Sequence, residues 1–353
     1  MKECCFVTGG AGFIGCAASK ALADNFENVV AIDNLHPQVH PKRERPSRLD
    51  KRVELIVADV TDQSTWERML DTYVPSVVVH LAAETGTGQS LTEATRHANV
   101  NVVGTTVMLD AFSRREVLPE RIVLSSSRAV YGEGAWASIT SEDVVYPGQR
   151  SKEMLEGGQW DFPGLRARPF AAVNTHPQPT SVYGATKLAQ EQILSAWCVS
   201  VGVEAAILRL QNVYGPGQSL SNPYTGIVPF FARLAKNGQS IPVYEDGQII
   251  RDFVYIDDVA SALASAAIRG VQSKVPYDIG LGTRTSILEL AQLVSQIYAA
   301  PSPHINGRFR HGDVRSAACD VERSIADLSW MPSVSLPNGI KELCAWIDAQ
   351  DNS

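Results

Sequence analysis

The chain has 353 residues, of which 44% are apolar and 20% are charged, and its formal net charge at pH 7 is −7. A chain of this length is longer than most domains that are built around a single hydrophobic core, so we predict two closely linked lobes. The negative charge and the lack of a basic run argue against a nucleic-acid-binding surface. No apolar stretch approaches the roughly 18 residues of a membrane-spanning helix, so we expect no association with a membrane.

The six cysteines form no C-x-x-C pair and lie mostly in apolar stretches. This pattern is typical of buried thiols in a reducing compartment. Residues 1–3 run directly into an apolar stretch, so no signal peptide is predicted. We therefore expect a cytoplasmic protein, and we assign no metal site.

The first apolar run, residues 4–7, leads into the glycine-rich stretch TGGAGFIG (residues 8–15) and then into a helix-like segment. Strand, glycine turn and helix is the order that a dinucleotide-binding site requires. A glycine at the start allows the tight turn, a second lets the backbone approach the pyrophosphate, and the N-terminus of the helix points at the phosphates. The cofactor contacts assigned to this stretch are Gly9, Gly12, Phe13 and Ile14.

The next two predicted strands end in acidic residues. Residues 29–32 lead into Asp33, about 20 residues after the glycine turn, where a carboxylate can hydrogen-bond the adenosine ribose. Because this carboxylate would repel a 2′-phosphate, the sequence predicts NAD rather than NADP. Residues 53–57 lead to Asp59, which can hydrogen-bond the adenine amine. It can also cap the helix that begins near Gln63, and the two roles do not exclude each other. The cofactor contacts assigned here are Asp33, Asn34, Asp59 and Val60.

A third buried strand, residues 76–80, runs into small and apolar residues against which a cofactor can lie. A helix is predicted over residues 91–112, and a strand over residues 121–124 ends in three serines, the last of which is Ser127. This alternation predicts an α/β protein with a Rossmann-type, doubly wound parallel sheet, followed by a smaller α/β lobe for the substrate. The cofactor contacts assigned to this part of the chain are Leu81, Ala82, Ala83 and Asn101.

Residues 132–178, called the flap below, interrupt the alternation with prolines, aromatic residues and arginines. A stretch of this length is seldom an ordinary loop, and its composition predicts a folded segment. The expected domains are an NAD-binding domain over residues 1–210, with the flap inserted, and a lobe over residues 211–353 that mainly binds the substrate. We expect the chain to return to the first domain over about residues 250–275.

Tyr183 and Lys187 lie four residues apart on a helix predicted over residues 183–197. Side chains at this spacing are neighbours on one helical face. A nearby ammonium favours the phenolate, so we expect Lys187 to lower the pKa of Tyr183 from about 10 towards neutrality. Such a tyrosine can remove the proton of a sugar hydroxyl.

Six motifs, in this order, resemble those of the extended short-chain dehydrogenases: TGGAGFIG (8–15), LAA (81–83), SSSRAVYG (125–132), YGATK (183–187), RLQNVYGP (209–216) and RDFVYIDD (251–258). The resemblance covers nearly the whole chain, and the chain is similar in particular to the UDP-glucose 4-epimerase group. It implies an enzyme that uses NAD and acts on a nucleotide sugar. It also implies a homodimer formed through two helices of each subunit, here residues 91–112 and 183–197.

The same resemblance implies roles for single residues. Tyr183 would be the catalytic base, Lys187 would bind the nicotinamide ribose, and Ser127 would orient the reacting hydroxyl. Asn212 would contact the phosphate or the sugar of the substrate. Arg251 and Arg315 would clamp the diphosphate, since a guanidinium matches phosphate oxygens two at a time.

Each of these roles has a structural alternative. Ser127 could cap a turn, Asn212 could hold a loop, and the two arginines could be surface ion-pair partners. Asp313 is either a ligand residue or part of a turn. We expect His176, beside a proline, to be a solvated loop histidine rather than an acid catalyst.

The residues after Ser127 help to select the reaction. The related 4,6-dehydratases carry an Asp-Glu pair there and the related decarboxylases a Glu, whereas this chain has Arg128 and Ala129. Epimerase-reductases of the fucose-synthase type need a Cys and a His in the pocket and bind NADPH, which Asp33 disfavours. What remains is a 4-epimerase, in which transient oxidation at C4, rotation of the 4-keto sugar and re-reduction invert that carbon.

The substrate is suggested by the interval of 56 residues between Ser127 and Tyr183, which is long for this group. The flap resembles a bacterial subgroup linked with dTDP-L-rhamnose 4-epimerisation, which gives dTDP-6-deoxy-L-talose for cell-surface polysaccharides. Family pattern places Ala317 where some epimerases carry a large aromatic residue, which predicts a roomier pocket. The alternatives are a UDP-hexose or UDP-N-acetylhexosamine 4-epimerase, a nucleotide-sugar dehydrogenase or ketoreductase, and a non-catalytic NAD-sensing protein.

Overall fold

The computed structural model describes residues 2–220, 226–271 and 273–350. The strands in these ranges are β1 (Lys2–Thr8), β2 (Phe26–Asp33), β3 (Glu54–Val57), β4 (Val77–His80), β5 (Arg121–Ser127), β6 (Trp136–Ser138), β7 (Val144–Val145), β8 (Leu165–Ala167), β9 (Glu204–Leu210), β10 (Asn212–Tyr214), β11 (Pro242–Val243), β12 (Ile250–Arg251), β13 (Phe253–Tyr255), β14 (Tyr277–Ile279), β15 (Thr285–Ser286), β16 (His304–Ile305) and β17 (Ser316–Ala317). The α-helices are α1 (Phe13–Ala23), α2 (Gln63–Thr72), α3 (Ala94–Ala98), α4 (Gly104–Arg115), α5 (Lys152–Glu156), α6 (Val182–Val201), α7 (Ile227–Lys236), α8 (Ile256–Arg269), α9 (Ile287–Ile297), α10 (Glu322–Leu328) and α11 (Leu336–Gln350).

Seven parallel strands form the main sheet in the order β14-β9-β5-β4-β1-β2-β3. Thr8 pairs with Ile32 on one side and with His80 on the other, so the carboxyl ends of β1, β2 and β4 meet at one edge. The strand order reverses between β1 and β4, and ligands of such sheets bind at this point. The predicted doubly wound α/β fold is confirmed.

Both faces of this sheet are covered, as the alternation of side chains along β1 requires. Cys5 and Val7 enter one core, which α1 and α8 share. Cys4 and Phe6 enter the opposite core, which contains residues of α2, α4 and α6. The apolar strand sequences therefore place the edge formed by the carboxyl ends of the strands between two layers of helices.

The helix predicted over residues 91–112 is interrupted. A 3-10 turn at Gln89–Leu91 precedes α3, and a π-helical turn at Asn99–Val103 separates α3 from α4. Wide turns of this kind often occur at functional sites. Here the turn carries the buried side chain of Asn101. Apolar periodicity cannot predict such a turn, because the side chains on either side still face the core.

The flap is folded. β6 pairs antiparallel with both β7 and β8. Trp136 packs edge-on against Phe162, with ring centroids 4.9 Å apart. An isolated bridge between Phe170 and Cys319 joins the flap to the C-terminal part of the chain.

The C-terminal lobe has its own core, to which α7, α9 and α11 contribute Phe231, Leu290 and Leu343. β12 lies between β15 and β17 in a small sheet of this lobe. The chain also returns to the first lobe, because α8 packs against α1 and β14 is an edge strand of the main sheet. The domain boundary at residue 210 stays a prediction. In the described part of the chain, no helix is long and apolar enough to cross a bilayer.

Candidate active site

The turn between β1 and α1 leaves space for a pyrophosphate. Gly9 has a φ of +64°, and a Cβ there would lie 2.8 Å from the backbone nitrogen of Ala82, so only glycine fits this turn. A Cβ on Gly12 would meet only the Gly9 oxygen, at 3.1 Å, and would otherwise enter open space. Among the described residues no side chain caps α1. The N–H groups of its first turn, around Phe13 and Ile14, are therefore available to an anion.

Asp33 lies beside this turn at the end of β2, where it is only 9% exposed. Its carboxylate accepts hydrogen bonds from the backbone of Ala11 at 3.1 Å and of Leu35 at 2.9 Å. The first bond holds the carboxylate directly against the glycine turn. An anionic group at this place fits the ribose hydroxyls of a dinucleotide.

Asn34 donates a hydrogen bond of 3.0 Å to Asp59, which joins the ends of β2 and β3. Burial raises the pKa of Asp59, but hydrogen bonds from Thr61 and Asn34 outweigh it and the pKa is lowered overall. Asp59 does not cap α2, because Asp62 does so by accepting the backbone N–H of Ser64 at 2.9 Å. The helix-capping alternative for Asp59 is therefore wrong.

The loop after β4 forms the next wall of the site. The N–H of Leu81 donates to the Thr8 carbonyl at 3.0 Å, and that of Ala82 donates to the Thr8 hydroxyl at 3.2 Å. The segment from Leu81 to Ala83 consequently begins directly beside the glycine turn. Val60 is buried, and its carbonyl accepts a hydrogen bond of 2.9 Å from the Trp66 indole.

Asn101 has a structural role in this arrangement. Its side-chain oxygen accepts the Glu84 N–H at 2.8 Å, and its amide donates to the Glu84 carbonyl at 3.1 Å and to Thr186 at 3.0 Å. Both amide hydrogens are used within the protein. Asn101 therefore holds the loop after β4 against α6, which differs from the direct cofactor contact that we predicted for it.

These features together fit NAD. The open backbone at Gly12 and the uncapped start of α1 match a pyrophosphate. The carboxylate of Asp33 matches a ribose with free hydroxyls, and it would repel a 2′-phosphate. The glycine turn, the start of α1 and Asp33 would hold NAD, whose nicotinamide would supply reversible hydride transfer.

Ser127 and Tyr183 meet between the end of β5 and the first turn of α6. The Ser127 hydroxyl accepts the N–H of Ala129 at 3.1 Å and so caps the 3-10 turn Arg128–Tyr131. The Ser127 hydroxyl also lies close enough to the Tyr183 phenol to lower the pKa of that phenol. Ser127 is therefore a turn cap and, at the same time, the neighbour of the predicted base.

The prediction that the pKa of Tyr183 is lowered by Lys187 is wrong in this structure. Burial raises the pKa of the phenol, and the Ser127 hydroxyl and the Arg128 guanidinium lower it without offsetting the burial. The Lys187 ammonium instead donates to the side-chain oxygen of Gln190, one turn along α6. The cation beside the phenol is thus Arg128. In the sequence, Arg128 was interpreted only as a residue that replaces the acid of related dehydratases.

Lys187 is buried at the start of a chain of hydrogen bonds. Gln190 donates to the Thr105 hydroxyl at 2.8 Å, which lies 3.0 Å from His80 Nε2. His80 Nδ1 lies 2.6 Å from the hydroxyl of Thr8, next to the glycine turn. Burial lowers the pKa of Lys187 to about 7. Burial, followed by the charge of Lys187, lowers the pKa of His80 to about 3, so this ring is neutral.

Sequence reasoning also missed Glu191. Its carboxylate accepts a hydrogen bond from Ser126 and two from Arg209, at 3.0 and 2.7 Å. Because Ser126 precedes Ser127, this buried ion pair fixes the end of β5 against α6. The signal was present, since Glu191 follows Lys187 by four residues and so lies on the same helical face.

The residues predicted to bind the substrate are brought together only in part. The N–H of Asn212 donates to the Asp252 carbonyl at 3.0 Å, which places Asn212 beside Arg251. Arg128 Nε donates to Asn212 Oδ1 at 2.8 Å. Arg251 donates from Nη1 to the carbonyls of Ile250 and Val314, both at 2.7 Å. Asn212, Arg128 and Arg251 therefore form one cluster near Tyr183.

Arg315 does not belong to this cluster. Its Nε and Nη2 donate to Asp161 at 2.8 and 3.0 Å, and its Nη1 and Nη2 donate to Asp246 at 2.7 and 2.9 Å. Nη1 also lies 3.2 Å from Glu245. These five contacts use the whole guanidinium, and the carboxylates would repel a phosphate. The predicted diphosphate clamp of Arg251 and Arg315 is corrected accordingly: Arg315 here holds the flap.

Three further expectations concern the surroundings of the site. Ala317 is fully buried in a cluster with Tyr131 and Phe170, and the roomier pocket that we expect there stays a prediction. His176 is exposed, as predicted for a loop histidine. Asp313 forms a turn, since its N–H donates to the Arg310 carbonyl at 3.2 Å, and its carboxylate lies 4.0 Å from Arg251.

The chain matches the model of the NAD dependent epimerase/dehydratase family over residues 5–151 and 164–280. The stretch between these ranges, residues 152–163, lies in the flap and contains α5 and Asp161. It is called the insert below.

Similar proteins were found among curated sequences and solved structures. A dTDP-L-rhamnose 4-epimerase of Burkholderia thailandensis is 56% identical over 341 residues, which span 97% of this chain and 94% of that protein. The crystal structure of a UDP-glucose 4-epimerase of Thermotoga maritima with UDP-glucose is 27% identical, with a TM-score of 0.79 over 98% of this chain and 99% of that one. A UDP-glucose 4-epimerase of Thermus thermophilus in complex with NAD is also 27% identical, with a TM-score of 0.76 and the same coverage of both chains.

Proposed function

Because the chain belongs to the NAD dependent epimerase/dehydratase family, we propose that it inverts C4 of a nucleotide-activated sugar, with dTDP-L-rhamnose as substrate and dTDP-6-deoxy-L-talose as product. The family membership confirms two sequence predictions, namely an enzyme and NAD as its cofactor. The 56% identity to a dTDP-L-rhamnose 4-epimerase along nearly the full length carries the choice of substrate. The setting we propose is the synthesis of cell-surface polysaccharides.

The residues at the end of β5 support inversion without loss of a group. Tyr183 is the base that removes the proton of the 4-hydroxyl, and Ser127, which lies next to the phenol, orients that hydroxyl. Arg128 and Ala129 follow Ser127, and neither can act as the acid that would expel water from the sugar. The proton therefore returns from Tyr183 to the same oxygen after the 4-keto sugar has turned.

Lys187 and Arg128 have different roles beside Tyr183. Lys187, held by Gln190 within a buried chain that reaches Thr8, is fixed relative to the glycine turn and binds the nicotinamide ribose. Arg128 places a positive charge near the phenol, which favours the phenolate that the first step needs. Lys187 is buried and Arg128 is partly buried, so the charges of both are screened less than at the surface.

An assay of the purified protein with dTDP-L-rhamnose, UDP-galactose and UDP-N-acetylgalactosamine, without added NADH, tests the proposal. Product of unchanged mass and inverted C4 from dTDP-L-rhamnose is the expected result. Accumulation of NADH would indicate a dehydrogenase, and conversion of only a UDP-sugar would move the substrate assignment. Tyr183→Phe should abolish turnover, while Tyr73→Phe, which removes a hydroxyl bonded to Glu54 on the surface, should not.

We further infer a homodimer that works in the cytoplasm. Helices α4 and α6 lie side by side, and Leu91, Val103 and Val199, in or next to these helical segments, are 66%, 43% and 62% exposed. Burial of such side chains between two copies would stabilise a dimer. All six cysteines lie in the described ranges, are buried and form no disulfide with one another, which suits a reducing compartment. Light scattering at several protein concentrations should give twice the mass of the chain.

A further inference from the structure

Arg128 presents unused hydrogen-bond donors beside the predicted base. Its Nε is fixed by Asn212 Oδ1 at 2.8 Å. Within residues 2–220, 226–271 and 273–350, neither Nη1 nor Nη2 of Arg128 has a hydrogen-bond partner, and neither is an enclosed buried atom. A guanidinium that is held by one nitrogen and open at two others suits a ligand with several oxygen acceptors.

Arg251 offers the same arrangement from the neighbouring strand. Its Nη1 is tied to two main-chain carbonyls at 2.7 Å, whereas Nη2 lies 4.0 Å from its nearest carboxylate, that of Asp313. Arg128 and Arg251 are linked through Asn212, whose N–H bonds to the carbonyl of Asp252. In each arginine, one part of the guanidinium is therefore fixed and other N–H donors remain available. Burial lowers the pKa of Arg128, and the nearby charge of Arg251 lowers it further.

Two like charges held together in a partly buried site are unfavourable unless an anion lies between them. Asp313 is 38% exposed, lies 4.0 Å from Arg251 and neutralises only part of this charge. A diphosphate carries two negative charges and oxygens that accept from guanidinium groups. It is the part of a nucleotide sugar that fits this cluster.

Arg315 is unsuited to the same task because the insert occupies it. Asp161 of the insert and Asp246 of the C-terminal lobe take both edges of its guanidinium. Residues 152–163 are also an internal stretch that the family model does not match, and the match ends at residue 280, before Arg315. Asp161, which pairs with Arg315, thus comes from a segment that interrupts the family match.

The family resemblance already implies that Arg251 binds the diphosphate of the substrate. We propose that Arg128, rather than Arg315, is the second arginine of this clamp, and that Arg315 is a positioning residue that fastens the insert over the site. This proposal rests on the proposed function, because it requires a nucleoside diphosphate sugar as ligand. It assigns Arg128 a contact with the substrate in addition to its effect on Tyr183. It also accounts for an arginine at a position where an acid would be needed for dehydration.

Calorimetric binding of dTDP and dTMP to the full-length protein tests this assignment. Arg128→Met should weaken dTDP binding by about tenfold or more and dTMP binding by less than about threefold, because only dTDP has the second phosphate. Arg128→Lys should recover part of the loss, since it keeps the charge without the fork. Arg166→Met, which removes an exposed arginine of the flap, is the matched control and should bind both nucleotides as the unaltered protein does.

Arg315→Met should change dTDP affinity by less than about threefold but should speed tryptic cleavage at Lys152, at the start of the insert. Unchanged dTDP affinity in Arg128→Met would overturn the proposal. So would a tenfold loss in Arg315→Met while the insert stays protected. NAD affinity, measured in every variant, separates these results from misfolding. Unaltered protein that binds neither dTDP nor UDP would also overturn it, whereas binding of dTDP without epimerisation would refute only the proposed function.

Discussion

Arg315 and Asp161 are 154 residues apart in sequence and are joined by two parallel hydrogen bonds of 2.8 and 3.0 Å. Arg315 is 4% exposed at its side chain, while Asp161 is 62% exposed. The bonds therefore attach a surface segment to a buried anchor in the C-terminal lobe. The position of the insert depends on this anchor and on Arg150, which pairs with Glu245 and donates to the Trp160 carbonyl of the insert at 3.1 Å.

Replacing Asp161 by Asn should loosen the insert with a modest loss of global stability. An exposed carboxylate contributes little even in a paired geometry, so we expect a decrease of about 0.5–1 kcal/mol in the free energy of unfolding. Limited proteolysis at Lys152 should become several-fold faster. Glu142→Gln, which breaks the exposed ion pair with Arg166 in the same flap, is the control and should leave the cleavage rate unchanged.

Replacing Gln190 by Met should impair catalysis through Lys187. The Lys187 ammonium would lose its oxygen acceptor in a buried place, and its pKa would fall below the value of about 7. At about pH 8 more of the lysine would be neutral, so kcat should fall by about tenfold, with a smaller deficit at about pH 6.5. Gln192→Met, at an exposed position of the same helix, is the matched control. A deficit that does not vary with pH would contradict this reasoning.

Gln211, buried between β9 and β10, is expected to lower the stability of the protein and to take part in ligand binding. Neither its amide nitrogen nor its oxygen has a hydrogen-bond partner in the described part of the chain. Such atoms cost about 1–3 kcal/mol when buried, so Gln211→Met should raise the free energy of unfolding by about 1 kcal/mol. If the amide bonds a ligand, the same variant should bind NAD or dTDP more weakly. Urea unfolding with and without each ligand measures both effects. A variant that is less stable than the unaltered protein would refute the expected gain in the free energy of unfolding.

Glu133 should make stability depend on pH between about 4.5 and 7. Burial raises the pKa of its carboxyl to about 7, although Arg150, the N–H of Arg315 and Arg251 act in the opposite direction. Between these values the unfolded chain has lost a proton that the native protein keeps, so stability falls as pH rises through this window. Glu133→Gln should therefore gain about 2–3 kcal/mol relative to the unaltered protein between about pH 5 and 7.5. Urea unfolding of both proteins at about pH 5 and 7.5 measures this gain. A difference in unfolding free energy between them that is the same at the two pH values would contradict the raised pKa of Glu133.

Local sequence patterns predicted what depends on local geometry. The glycine turn, the strand that ends at Asp33 and the spacing of Tyr183 and Lys187 are short-range features, and the structure contains them. The partners of charged side chains were harder to predict, because they come from distant segments. Arg315 meets Asp161 from the flap, and Arg128 reaches Asn212, which is 84 residues away. The pKa of Tyr183 was mispredicted for the same reason, since burial and Arg128 act on it through the fold.

The most direct test of the account follows one hydrogen atom. The purified protein would be given dTDP-L-rhamnose that carries deuterium at C4, and the product would be examined by NMR and mass spectrometry. If Tyr183 removes only the hydroxyl proton and C4 is oxidised and re-reduced in one site, the product should be dTDP-6-deoxy-L-talose with deuterium still at C4. Loss of deuterium to solvent, or inversion at another carbon, would contradict the mechanism.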